Sequence, residues 1–188
     1  AGIHQPSLRI TMKISATGAR VDVDSAPYEN IPRKMRDLKQ WVLFRSKRPC
    51  QMDGCPASVS NQSTWLSFDQ AQFADKVIGG FDGIGFVLRG DDGLFAIDID
   101  HCRDADTGEL NTVAQDCVEK FGTYCEVSYS GTGLHFFGRG KISSEYLQAS
   151  KTGRKNSTLG VEVYHTRRFF TVTCNVIDDD HREITDCQ

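Results

Sequence analysis

The chain has 188 residues, 39% of them hydrophobic and 25% charged, with a formal net charge of -3. That is enough apolar material for one sizeable core or for one domain of two small lobes. No run approaches the roughly 18 apolar residues of a membrane span, and an acidic total excludes a protein that binds nucleic acid through bulk positive charge alone. A soluble, cytoplasmic protein without a membrane partner is expected. Seven cysteines, at positions 50, 55, 102, 117, 125, 174 and 187, are an odd number with no secretory signal before them, and they read as reduced thiols. Cys50 and Cys55, with Cys102 beside His101, are too incomplete a set for a structural zinc site.

The beginning, residues 1–30, is polar and aperiodic and reads as an extended arm, with 1–11 a possible vector remnant ahead of Met12. The end, at Cys187-Gln188, suggests a fragment of a longer protein. Residues 32–40 are expected to form a short basic helix with Asn30 near its cap and Met35 and Leu38 turned inward, followed by the strand WVLF at 41–44. A turn-rich loop leads to Ser67 and Gln70, which match a capping box, and Phe68, Ala71, Phe73, Ala74 and Val77 predict the inward face of a helix ending near 78. GIGFVL and LFAIDID, separated by RGDDG, predict a hairpin. Leu110, Val113, Ala114, Cys117, Val118 and Phe121 recur at helical spacing before Gly122. Strands are expected at YCEVS, LHFFG, VEVY and RFFTVT, the last two as a hairpin through HTR, with a weaker helix from Ser143 to Gln148. The order points to an α+β split sheet covered by helices on one face.

Chemistry concentrates in four places. In LFAIDID, alternation puts Phe95, Ile97 and Ile99 on one face and Ala96, Asp98 and Asp100 on the other. Two carboxylates about 7 Å apart along a strand repel each other, and a hard divalent cation, Mg²⁺ or Mn²⁺, between them relieves it. In VEVY, Glu162 lies between two core valines and must face away from them, so on a neighbouring strand it would complete a three-carboxylate set able to hold two ions. SGTG, Ser130 to Gly133, is a flexible turn whose amides and hydroxyls could meet a phosphate. His135 follows it, with Arg139 and Lys141 on the same face by period-two spacing. Residues 139–168, with Lys151, Arg154, Lys155, Arg167 and Arg168 among them, carry an excess of five positive charges, and Lys47 and Arg48 add to a surface suited to a triphosphate or a nucleic-acid backbone.

Taken in order, Trp41, Lys47-Arg48-Pro49, Thr64-Trp65, GIGFVL, AIDID with His101, YCEVSYSGTGLH, and VEVY followed by RRFFTVT resemble the primase-polymerase domains of phages, plasmids and other mobile elements, in the archaeo-eukaryotic primase superfamily. The resemblance spans roughly residues 32–177. It implies an α/β unit packed on an RRM-like sheet with the active site in the cleft between them, here a single catalytic domain over 31–188 with sub-lobes of about 31–90 and 91–180. It makes Asp98 and Asp100 the metal ligands of the first motif, Glu162 the third acidic position, and Ser130 and His135 the second motif, with His135 on the nucleotide phosphates. Gly133 goes with that motif, and Lys47, Arg167 and Arg168 are triphosphate candidates. Implied partners are a single-stranded DNA template and primer, NTP or dNTP, and a helicase domain in the full-length protein. Two readings compete: a metal-dependent nuclease or relaxase, with Tyr164 as candidate nucleophile, and a non-catalytic RRM-like binding module.

Overall fold

The computed structural model describes residues 28–143, 145 and 152–187. Two antiparallel sheets pack face to face. The first has four strands in the order β2-β1-β3-β9, formed by β1 (Trp41–Arg45), β2 (Arg48–Cys50), β3 (Gly83–Leu88) and β9 (Arg168–Val172). The second has five in the order β5-β6-β4-β8-β7, formed by β4 (Leu94–Ile99), β5 (Tyr124–Val127), β6 (Leu134–Arg139), β7 (Gly153–Asn156) and β8 (Val161–Tyr164). The architecture is α+β. Among the described residues no helix is long and apolar enough to cross a membrane.

Both expected hairpins are instead crossovers between the sheets. GIGFVL pairs with β1 and β9, whereas LFAIDI pairs with β6 and β8. VEVY pairs with β4 and β7, and the strand after it pairs with β3. Turn chemistry is local, so glycine and aspartate serve a sheet-to-sheet crossover as well as a hairpin. The two crossovers run side by side: Thr166 Oγ1 donates to the Arg89 carbonyl at 2.9 Å and the Arg167 amide to that of Leu88 at 3.0 Å. β9, from the stretch expected in the second lobe, therefore belongs to the sheet that the first lobe begins.

The first helix is shorter than the periodicity predicts, while the second ends at Ile78 as expected. α1 is Arg33–Arg36, with Pro32 rather than Asn30 at its N-cap, and Met35 fully buried beneath it. Ser67 and Gln70 form the expected capping box, and α2 (Phe68–Phe73) continues as one π-helical stretch over Ala74–Ile78. Phe68, Ala71 and Ala74 face the core, but Phe73 and Val77 do not: they are 53% and 66% exposed. The wider π turn rotates the face away from a 3.6-residue repeat. α3 (Thr112–Phe121) has Asn111 as its N-cap and a left-handed Gly122 at its end. The expected helix at 143–148 lies outside the described residues apart from its positions 143 and 145.

Two apolar layers hold the sheets. Phe95, Ile97 and Ile99 face outward from the second sheet with Ala114 of α3 and Leu134 and Phe136 of β6. The inner face of that sheet carries Tyr124, Phe137, Ala96 and Tyr164, with Phe137 edge-on to Phe86 and Phe170 of the first sheet. Gly85 on β3 leaves no room for a side chain beside β9: a Cβ there would lie 2.8 Å from both the Phe169 ring and the Phe170 carbonyl oxygen. We expect Gly85→Ala to lower stability by about 1–3 kcal/mol, read as a lower urea midpoint with an unchanged denaturation slope.

Candidate active site

On the inner face of the five-stranded sheet, two residues along from the apolar row of Tyr124, Phe137, Ala96 and Tyr164, the register aligns a polar one. Glu126 on β5 faces His135 on β6, His135 faces Asp98 on β4, Asp98 faces Glu162 on β8, and Glu162 faces Lys155 on β7. All five share one face because strand side chains alternate and the strands are paired without slippage. The row opens into a cleft of about 510 Å³ whose opposite wall includes Lys47, Arg167, Arg168 and Phe169.

His135 is 7% exposed. Its Nδ1 lies 3.1 Å from the Thr171 carbonyl and 3.6 Å from Glu126 Oε1, while Nε2 is 3.7 Å from Asp98 Oδ1. Burial disfavours its cation, but Glu126, Asp98 and the Thr171 carbonyl outweigh burial and hold its pKa above the ordinary histidine value. Asp98 is held above the usual carboxylate range, chiefly by burial and then by Asp100 and Glu162, against the pull of His135 and Arg168. Burial also acts against ionised Glu162, yet hydrogen bonds from Lys155 and Tyr164, and the charges of Lys155 and Arg168, leave its pKa below the ordinary one. Arg168 stacks over Tyr164, 4.6 Å from the ring centroid.

Asp100 lies just past the end of β4, exposed, with its amide donating to the Gly160 carbonyl at 3.2 Å. It lines the cleft with Asp98 and Glu162. Among the described residues no three His, Cys, Asp or Glu side chains are gathered closely enough to enclose a metal ion as they stand; Lys155 and Tyr164 occupy the Glu162 carboxylate. The donor set nevertheless suits a hard divalent cation. It is all carboxylate oxygen, Asp100 and Glu162 raise the proton affinity of Asp98, and Glu162 already holds a cationic group, the Lys155 ammonium.

Ser130 belongs to the β5–β6 turn and lines the cleft, its hydroxyl 3.0 Å from those of Ser128 and Thr132. Gly133 does not line the cleft. It lets β6 approach β4, since a Cβ there would stand 2.7 Å from the Ile99 carbonyl oxygen. Arg139 and Lys141 are not brought to the site. Arg139 pairs with Leu94 at the far end of β6, and the Gly140 amide before Lys141 donates to Gly93. Period-two spacing gives a shared face, but four residues along a strand is about 13 Å. Lys47 reaches the cleft from the β1–β2 turn, where Ser46 and Lys47 have φ of 48° and 60°. Lys151 lies outside the described residues.

Sequence reasoning passed over Glu126 and the pairing of Lys155 with Glu162. Glu126 is fully buried, its carboxylate accepting from the Tyr124 hydroxyl at 2.8 Å and from the amides of Thr173 and Cys174 at 3.1 and 3.0 Å. Its signal was available in YCEVS, an acidic residue between Cys125 and Val127, the pattern that singles out Glu162. All seven cysteines are free thiols, with Cys50 and Cys102 in separate cores.

No protein-family model matches the chain. A curated relative does: the DNA primase-polymerase of Nitratiruptor phage NrS-1, 33% identical over 152 residues, which is 77% of this chain and 21% of that protein. The chain thus spans about a fifth of the relative's length. The order of acidic, histidine and second acidic strands that suggested a resemblance is accompanied by similarity along most of the sequence, and the chain is a phage-type primase-polymerase domain.

Proposed function

We propose that this domain performs template-directed nucleotidyl transfer, as a DNA primase, a DNA polymerase or both, in the replication of a phage or other mobile element. The observation that carries the reading is the single cleft in which Asp98, Asp100, Glu162 and His135 stand opposite Lys47, Arg167 and Arg168. A polyanionic nucleotide fits between a wall of cationic side chains and a wall of carboxylates only if cations bridge it to the latter. Magnesium or manganese, in our reading two ions held by Asp98, Asp100 and Glu162, would supply the charge that activates the primer 3′-hydroxyl and neutralises the triphosphate.

The protein's own groups do the rest. His135, fixed through Nδ1, turns Nε2 toward the cleft; its raised proton affinity favours the doubly protonated ring, in which Nε2 also carries a proton and donates to a phosphate oxygen. Arg167 just before β9, Arg168 at its first position, and Lys47 grip the phosphates from the other side. Ser130 adds a hydroxyl to the lining of the same cleft. Holding the triphosphate at several points orients its α-phosphorus for attack, which is the larger part of what a phosphoryl-transfer site supplies. The single-stranded template and primer would run over the open mouth of the cleft, and a helicase in the full-length protein would supply that strand.

A relaxase reading needs Tyr164 as a phenolate nucleophile. Burial, and then its hydrogen bond to Glu162, push that phenol up to about 12, so the hydroxyl donates rather than attacks. A purely binding RRM-like module would present aromatic rings where this row carries acids.

On a primed template with labelled dNTPs or NTPs and Mg²⁺ or Mn²⁺, we expect incorporation that EDTA abolishes. Asp98→Ala or Glu162→Ala should reduce it by at least about 100-fold with an unchanged melting temperature within experimental scatter; retained activity would refute the metal assignment. Arg168→Ala should raise the nucleotide KM more than it lowers kcat, and an unaltered KM would remove Arg168 from the phosphate site. Tyr164→Phe should retain incorporation, whereas the relaxase reading requires strand transfer that this change destroys.

A further inference from the structure

Glu126 has the burial of a core residue and the chemistry of a site residue. A fully buried carboxylate is costly unless its lone pairs are met, and three donors meet this one. They come from two places: Tyr124 is on Glu126's own strand, while Thr173 and Cys174 follow β9, where the chain leaves the first sheet. From there it runs along the free edge of β5, with Val127 donating to Asn175 at 2.8 Å and Ile177 to Cys125 at 3.2 Å. The two carboxylate oxygens differ. Oε2 accepts from Tyr124, Thr173 and Cys174, whereas Oε1 accepts from Thr173 alone and is the oxygen 3.6 Å from His135 Nδ1.

We propose that Glu126 is the positioning residue for His135. Its carboxylate and the Thr171 carbonyl face the same ring nitrogen, keep a proton on Nδ1, and so leave Nε2 turned to the cleft. Both acceptors depend on β9: Thr171 lies on that strand and Thr173 just beyond it supplies the amide that orients Oε1. The imidazole's aim is thereby set by the same strand that carries Arg168. The phosphate-facing groups on the two sheets are held in one geometry. The catalytic side of this inference rests on the nucleotidyl-transfer reading; the ring geometry does not.

Glu126→Gln tests it. A glutamine can keep one acceptor for Tyr124 and Cys174, but its NH₂ must then face the Thr173 amide and the imidazole, where only acceptors fit. In the free protein, long-range ¹⁵N–¹H correlation of the histidine rings, with His135 identified by the signals lost in His135→Asn, should show one Nδ1–H state. In Glu126→Gln it should show a second tautomer or exchange-broadened ring signals; an unaltered His135 ring would overturn the proposal. In primer extension, Glu126→Gln should raise the nucleotide KM about 10-fold, as loss of a residue behind a functional histidine does, with a smaller change in kcat. Glu126→Gln combined with His135→Asn should be no worse than His135→Asn alone, and additive losses would mean that Glu126 acts independently of the ring. If Glu126→Gln does not fold, Glu126→Asp, which withdraws the charge from the ring by one methylene, is read in the same way with the same expected shift. A wild-type protein that incorporates nothing would sink the functional reading, while the ring spectra would still decide the role of Glu126.

Discussion

The site depends on register. Five strands paired without slippage bring Glu126, His135, Asp98, Glu162 and Lys155 into one row. A one-residue slip in any strand would turn its member of the row into the apolar layer under α3 and bring a core side chain into the cleft. What prevents the slip is the parallel apolar row two residues away, in which Tyr124, Phe137, Ala96 and Tyr164 pack toward Phe86 and Phe170 of the other sheet. The hydrophobic effect therefore pins the chemistry. Moving Phe137 out of the core would expose on the order of 150–250 Å² of aromatic surface, several kcal/mol against any misregistered pairing.

Charge along the row follows from this crowding. Three carboxylates and an imidazole within hydrogen-bonding strand distances need compensation, and the fold supplies it from both ends and from above. Lys155 lies on Glu162, His135 sits between Glu126 and Asp98, and Arg168 acts on both Asp98 and Glu162. Asp98 is only partly relieved, its carboxyl held up chiefly by burial and then by its acidic neighbours. In the proposed function, cations that arrive with a substrate would supply the positive charge that the centre of the row lacks.

Much of the site was legible because alternation within a strand is read from sequence alone. LFAIDI and VEVY gave the correct faces for Asp98 and Glu162 once their flanking apolar residues were assigned to the core. Sheet membership was not legible in the same way. RGDDG and HTR carry turn residues that serve a hairpin or a crossover equally, and which of these forms is decided by partners 80 residues apart, such as Leu88 and Arg168. Arg139 and Lys141 were assigned by face, a property of period, whereas distance from the site is a property of position along the strand. Glu126 escaped notice because YCEVS is read only as a strand, without asking which face its acid takes, although its pattern is that of Glu162.

The two crossovers explain why the misread turns matter to function. Gly90 in the first, with φ of 94°, lies so close to Thr166 in the second that a Cβ would approach its hydroxyl to 2.7 Å. Arg167, with φ of 53°, directly precedes β9, and its amide is tied to Leu88 at the end of β3. The arginines opposite the carboxylates are thus mounted on the junction where both connections between the sheets meet. Their distance from Asp98 and Glu162 is fixed by that junction rather than by a free loop. A hairpin in either place would have kept its two strands in one sheet and left the cleft without its cationic wall; passing the chain across twice, side by side, builds the two walls and sets the gap between them.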